Sequence, residues 1–239
     1  MSDQMIFKRY ELKYLLTSQQ KAQILKAMES YMALDQFGHS SIRNIYFDTD
    51  TFRLVRRSIE RPAYKEKLRV RSYGRAGAEE PVFVELKKKY QSVVYKRRLS
   101  LPEQQAMDWL CGQSPIPVHT QIADEVAYFC SYYQTLRPVV FLSYEREAFH
   151  SRCGDDFRVT FDENILARRQ ELSLNADVWG TPLLEPDHVL MEIKTSGGIP
   201  LWMSHLLARQ QIYKSSFSKY GTAYQTMIFS NDKGGLLYA

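Results

Sequence analysis

Between residues 65 and 98 the chain concentrates cations in three short runs. The first reads Lys65-Glu66-Lys67-Leu68-Arg69-Val70-Arg71 and the second Val82-Phe83-Val84-Glu85-Leu86-Lys87-Lys88-Lys89. The third reads Val93-Val94-Tyr95-Lys96-Arg97-Arg98-Leu99. In a strand, residues two apart point to the same side. Lys65, Lys67, Arg69 and Arg71 therefore share one face, with Leu68 and Val70 opposite. Glu85, Lys87 and Lys89 share another, with Val84 and Leu86 behind them. Arg grips phosphate oxygens in bidentate fashion and Lys supplies a mobile point charge. Such a set can hold a polyanion, and its few carboxylates can hold that polyanion's metal ion.

One charged strand is usually the solvated face of an antiparallel sheet. Here the pattern returns far away, as Arg9-x-Glu11-x-Lys13, Arg158-x-Thr160-x-Asp162 and Glu192-x-Lys194. The repeated face is mostly Lys and Arg, whereas a solvated face more often mixes Ser, Thr and balanced charge. Glu192 and Lys194 stand among Leu190, Met191 and Ile193. A carboxylate and an ammonium on so apolar a strand need a partner or a wet cavity. A structural salt bridge is the plain alternative for that pair.

The elements that must position these residues follow from the rest of the 239-residue chain. Its 44% hydrophobic and 25% charged content suits a globular protein with a substantial core. The net charge of +5 and pI near 9.0 permit nucleic acid, membrane-surface or phosphate partners without selecting one. Cys111, Cys130 and Cys153 lack metal-ligand spacing and suit a reducing cytoplasm. The first residues run into a charged strand, so no signal peptide is expected, and no apolar run reaches membrane-span length.

Residues 5–16 read as a strand, Thr17 as a helix N-cap, and residues up to about Leu34 as a helix broken at Phe37-Gly38. Ile42 to Asp48 is a second strand, with a short helix over 51–58 after the Asp48-Thr49-Asp50 turn. The three charged runs follow, joined by a Gly74–Gly77 turn and a Tyr90-Gln91-Ser92 hairpin. Pro102 opens a helix to about Cys111, and another covers about Ile122 to Gln134. The latter carries Tyr128, Phe129, Tyr132 and Tyr133, which at helical spacing read as core. Val139–Arg146, Arg158–Asp162 and Val189–Lys194 are the remaining strands. Pro200 opens a helix to about Ser215, and the tail after Ser230 reads as loose. Nothing demands a second domain, and chemically matched strands at both ends of the chain suggest one closed sheet.

Several chemistries lack their residues. There is no Walker A loop and no His-Glu-x-x-His, and the five histidines are scattered. Ser216-x-x-Lys219 is too short a fragment to indicate a serine hydrolase.

In order, the chain carries Arg9-Tyr10-Glu11-Leu12-Lys13-Tyr14, Tyr46-Phe47-Asp48, Lys67-x-Arg69-x-Arg71, Glu85-Leu86-Lys87-Lys88-Lys89 and Lys96-x-Arg98. Tyr144-x-Arg146, Arg158-x-Thr160-x-Asp162, Glu192-x-Lys194 and Ser218-Lys219-Tyr220 follow. This ordered set resembles the VTC (vacuolar transporter chaperone) domain over about residues 5–225. That domain is the polyphosphate polymerase branch of the triphosphate tunnel metalloenzymes, or CYTH superfamily. The resemblance implies an α+β fold: a single domain over 1–239 built as an eight-stranded antiparallel β-barrel, a tunnel open at both ends, with helices packed outside. It implies phosphate-handling catalytic roles for Lys13, Arg69, Arg71, Lys87, Arg146, Arg158 and Lys219. Lys67, Lys89, Lys96, Arg98, Lys194 and Ser218 would add phosphate contacts along the tunnel. Glu192, assisted by Glu11, would hold Mn²⁺ or Mg²⁺.

The implied ligands are ATP, triphosphate or polyphosphate, and nucleic acid is not expected because the aromatics read as core. Where the wider superfamily has Glu-x-Glu-x-Lys, this chain has Arg9 in place of the first Glu. That suits a longer polyanion better than a two-metal hydrolase. Polymerase members often carry a Lys where this chain has Ser216, and Lys214 is the nearby candidate substitute. The membrane-anchoring and phosphate-sensing segments of some members are not in this sequence, so export of polyphosphate across a membrane is not expected of it alone. Three functions remain open: ATP-dependent polyphosphate synthesis, a metal-dependent triphosphatase, and a non-catalytic polyphosphate or nucleic-acid binder. Carboxylates facing a polyanion disfavour the binder.

Overall fold

A computed structural model of the chain describes residues 10–60, 62–91 and 93–229. β1 (Tyr10–Thr17) leads through α1 (Ser18–Met28) to β2 (Met32–Asp48) and α2 (Arg53–Ile59). The three charged runs form β3 (Tyr64–Tyr73), β4 (Pro81–Tyr90) and β5 (Val93–Pro102). Then come α3 (Glu103–Leu110), α4 (Gln121–Tyr133), β6 (Arg137–Ser151), β7 (Arg158–Arg168) and the short β8 (Thr181–Pro182). β9 (His188–Thr195), α5 (Leu201–Arg209), β10 (Lys214–Ser215), α6 (Lys219–Tyr224) and a π-helical turn, Gln225–Phe229, complete the order.

The strands run β10-β1-β9-β7-β6-β2-β3-β4-β5, with β8 paired to β7, and every pairing is antiparallel. Eight of them are long. The strands next to the two ends of this path meet through side chains: Lys87 Nζ on β4 reaches the Glu11 carboxylate on β1 at 2.7 Å. The sheet thus curls into a barrel, with its charged face inward.

The alternation seen in sequence decides which residues turn in. Leu68, Val70, Val84 and Leu86 point outward and pack with Trp109 of α3 and Phe129 of α4. Leu16, Phe161, Met191 and Ile193 point outward elsewhere and pack with Ile24 of α1 and Met203 of α5. α6 departs from the expected outside packing. Its Tyr220 and Tyr224 join Tyr46, Leu142, Tyr144 and Leu190, which lie on the inward face. α6 therefore fills one end of the barrel. Tyr73 and Arg158 are exposed at the other rim. No helix among the described residues is long and apolar enough to cross a membrane.

Thr17 caps α1 as expected. Its Oγ1 accepts from Gln20 N at 3.2 Å, and Gln20 Oε1 accepts from Thr17 N at 3.0 Å, a capping box. The helix stops at Met28 rather than Leu34, because Met32 and Leu34 pair with Ser151 and Phe149 of β6. Phe37-Gly38 is accordingly an irregularity within β2, not a helix breaker. The helix after Pro200 stops at Arg209, and the following chain becomes β10, whose pairing covers the edge of β1. On α4, Phe129 and Tyr133 are buried as expected. Tyr128 and Tyr132 are 71% and 56% exposed, since only one side of the helix meets the sheet. Arg9, Ser92 and the tail after Ser230 lie outside the described residues.

The buried Asp48 fastens α6 to the barrel. Its carboxylate accepts from Thr49 N (2.8 Å), Leu54 N (2.9 Å), Val55 N (3.0 Å) and Tyr220 Oη (2.8 Å). Asp48→Ala strands these donors, at a cost of about 2–4 kcal/mol. The expected fall in melting temperature is about 4–16 °C for a chain of this size. A thermal melt unchanged by the substitution refutes this role for Asp48.

Candidate active site

Register alone brings the first group together. Arg69, Glu85 and Arg98 are successive cross-strand partners on β3, β4 and β5. The Glu85 carboxylate, 1% exposed, accepts from Arg69 Nε at 2.8 Å and from Arg98 Nη2 at 2.6 Å. Lys96 Nζ lies 2.6 Å away and Arg71 Nε 3.8 Å away. Burial alone raises a carboxyl pKa, yet Arg69, Arg71, Lys96 and Arg98 hold Glu85 well below the usual range.

A second hub forms between β6 and β7, where Arg146 faces Asp162. The pair is bidentate, at 2.6 and 2.7 Å, and Lys219 Nζ of α6 reaches the same carboxylate at 2.5 Å. Burial opposes ionisation of Asp162, but Arg146 and Lys219 bring its pKa down. Tyr144 connects the hubs. Arg71 Nη2 donates to its hydroxyl at 3.1 Å, and Lys219 Nζ sits 4.4 Å from its ring centroid. Burial pushes its phenol up, but Arg71, Arg146 and Lys219 outweigh that and bring it down to about 8.

The third group spans β1 and β9. Glu192 lies between Lys13 on β1 and Thr160 on β7, and Glu11 faces Lys194. Lys194 Nζ is 3.7 Å from Glu192, and Lys87 holds Glu11. Burial disfavours the charged form of Glu192, but Lys194, Lys13, Lys87 and Lys219 lower its pKa well below normal. Among the described residues no three His, Cys, Asp or Glu side chains converge as a metal cluster. Two carboxylates are nevertheless the donor set that Mg²⁺ commonly takes from protein when phosphates supply the rest. The buried Thr160 hydroxyl opposite Glu192 also has no hydrogen-bond partner among the described residues. The residues fit a divalent ion that arrives with phosphate.

The remaining expected residues distribute unevenly. Lys67 donates to Ser218 Oγ at 3.1 Å, and Lys13 donates to the Phe217 carbonyl at 3.0 Å, both beside α6. Lys89 lies on the same inward-facing side of β4, two residues beyond Lys87 and opposite Lys65. Arg158 faces inward opposite Lys194 but is exposed at the rim, so it joins neither hub. Lys214 is partnered with Tyr14, whose side faces the outer core, so it does not replace an inward Lys. Glu85, Asp162 and Tyr144 stood within the sequence motifs but not among the expected site residues. Their inward parity was the available signal; their roles as counter-ions depended on cross-strand register.

Eight antiparallel strands curled around a cation-rich interior define a triphosphate tunnel fold. The family model described as VTC domain matches residues 8–228, and the chain belongs to that family. Among solved structures, it is similar to a proposed adenylate cyclase from Bacillus halodurans, with a TM-score of 0.56 and 15% identity. That match covers 93% of this chain and 100% of the other. It is also similar to a proposed adenylyl cyclase from Hippeastrum reported to have a dominant triphosphatase activity. There the TM-score is 0.52 and the identity 14%, over 91% of this chain and 95% of that one. At such identities the likeness concerns the fold. No curated protein matches the chain by sequence.

Two outcomes follow from the charges. Burial, with neighbouring cations, lowers the Lys13 pKa to about 8 and the Lys96 pKa to about 7. Each folded lysine gives up its proton more readily than the unfolded one. The unligated fold therefore gains stability as pH rises from about 7 towards 10. Polyanion binding needs the charged lysines, so inorganic triphosphate affinity should fall between pH 7 and 9, with proton uptake on binding. Calorimetry in buffers of different ionisation enthalpy measures both, and a flat affinity profile refutes the assignment.

Glu85→Gln keeps the shape at position 85 but removes the shared counter-ion. It should destabilise the unligated protein by about 3–5 kcal/mol. Inorganic triphosphate should then raise the variant's melting temperature more than the wild type's. Equal increments mean that Glu85 does not stand in for phosphate.

Proposed function

We propose that the barrel interior binds the triphosphate of ATP and transfers its γ-phosphoryl group to the end of a polyphosphate chain. The observation that carries this reading is the excess of inward-facing cations over inward-facing carboxylates, within which Lys13 and Lys96 have lowered pKa values. Concentrated like charge without full compensation is costly to fold. Bound phosphate removes that cost, and it is the ligand whose oxygens match guanidinium and ammonium donors.

Phosphoryl transfer asks mainly for positioning and charge neutralisation. Arg69, Arg71, Lys96 and Arg98 would exchange part of their hold on Glu85 for phosphate oxygens. Arg146 and Lys219 would do the same beside Asp162. A terminal phosphate oxygen of the acceptor attacks the γ-phosphorus, the bond to the β,γ-bridging oxygen breaks, and ADP leaves with that electron pair. The acceptor oxygen is already anionic, so no general base is required. Arg71, Arg146 and Lys219 surround the Tyr144 hydroxyl or ring, and they would hold the transferred group near the middle of the interior. Glu192 and Glu11 would hold Mg²⁺ or Mn²⁺, which when bound offsets phosphate charge as a Lewis acid. A cytoplasmic location belongs to this proposal and rests on the three cysteines without disulfide or metal-ligand spacing.

A triphosphatase is the second reading, supported by the activity reported for the Hippeastrum protein of similar fold. Water would then be the acceptor. Arg9 in place of a superfamily carboxylate favours the polymerase reading. Incubation with ATP and Mn²⁺ separates the two: long polyphosphate on a gel with equimolar ADP supports synthesis, and free phosphate without polymer supports hydrolysis. Glu192→Gln should abolish metal-dependent turnover while leaving the melting curve cooperative. Turnover near wild type at saturating Mn²⁺ removes Glu192 from the mechanism.

A further inference from the structure

The rim that bears Arg158 also carries an aromatic shelf. It begins with a local turn in β2. The Asp35 carboxylate accepts from Phe37 N at 2.9 Å and Gly38 N at 3.0 Å, where β2 breaks register between Leu34 and His39. Gly38 adopts φ +52°, a left-handed conformation that glycine takes readily. The turn lifts Phe37 away from the sheet and leaves it 67% exposed. Its ring lies near-parallel to that of Tyr73, with centroids 6.4 Å apart and an interplanar angle of 18°. Tyr73, 48% exposed, meets Phe83 edge-on at 5.8 Å.

Arg98 joins this shelf to the interior. Its guanidinium lies 4.3 Å from the Phe83 ring centroid and donates to Tyr73 Oη at 3.3 Å. The same group pairs with Glu85. Tyr73 also shares its inward face with Arg71 and Arg69, and stands roughly 7 Å from Arg71 along the strand. Exposed aromatic faces therefore begin where the phosphate-binding cations end. Phe37 contributes little buried area, so packing gives it little to do.

We propose that the Phe37–Tyr73 shelf takes the base of a nucleoside triphosphate whose phosphates lie among the cations of β3, β4 and β5. The inference rests on the phosphate-binding reading above and adds the part of the substrate that the barrel interior does not address. A base stacks on an aromatic face whatever its edge pattern, and the contact is worth more for a larger ring system. The shelf should favour purine over pyrimidine nucleotides and give inorganic triphosphate nothing.

The test is calorimetric titration of wild type, Phe37→Ala, Phe37→Leu and Phe37→Trp with ATP and with inorganic triphosphate, each with Mg²⁺. Circular dichroism and thermal melts check that the variants fold. Phe37→Ala and Phe37→Leu should each lose roughly tenfold in ATP affinity, the scale of one base–aromatic stack. Their triphosphate affinity should stay unchanged, and Phe37→Trp should retain ATP binding. If the variants lose both ligands equally, or lose neither, the shelf is overturned while the phosphate site stands. If wild type binds neither ligand, both readings are overturned.

Discussion

The structure depends on holding many like charges inside one barrel. Cations on strands distant in sequence face a shared interior, where solvent cannot fully screen them. The fold meets this constraint with carboxylates placed at cross-strand positions. Glu85 alone takes ion-pair contacts from Arg69, Arg71, Lys96 and Arg98, and Asp162 takes them from Arg146 and Lys219. Each carboxylate is buried among cations that hold its pKa low. These ion pairs order the interior, but its charge is not fully balanced. Order without balance is the condition in which a polyanion can bind without building its own site.

The two ends of the barrel serve this interior differently. At one end α6 brings Lys219 and Ser218 inward and sets Tyr220 against Tyr46, with ring centroids 4.7 Å apart. Asp48 locks that arrangement to the start of α2, so a stop made of apolar side chains also positions two polar ones. At the other end Arg158, Tyr73 and Phe37 remain exposed. Polarity thus runs along the interior, from an apolar stop through ion-pair hubs to an accessible rim. A linear anion that enters from the rim meets Arg98 and Glu85 early and Lys219 late.

Family membership and chemistry reach the same conclusion by independent routes. The VTC match spans residues 8–228. The physical case needs only inward parity, short ion-pair distances and the depressed lysines. Both support the proposed phosphate ligand. The identity of the acceptor rests on smaller differences, such as Arg9 at a position outside the described residues.

The sequence by itself determined the strands and their faces. Period-two alternation in β3, β4 and β5 is a local property, and it correctly separated Arg69 and Lys87 from Leu68 and Leu86. The cap at Thr17 and the helix start at Pro102 were legible for the same reason. Local patterns failed where tertiary pairing competed with them. Met32 and Leu34 fit a helix, but β6 offered ladder partners; Lys214 and Ser215 fit one too, but the edge of β1 needed covering. Tyr128 and Tyr132 fit a core, but only one side of α4 met the sheet. The site divided in the same way. Residue types and parity announced a cationic interior, while the sharing of Glu85 among four cations, the inward seat of α6 and the contact of Lys87 with Glu11 came only from the curl of the sheet. Register and closure join residues far apart in the chain, and no local pattern encodes which of them will meet.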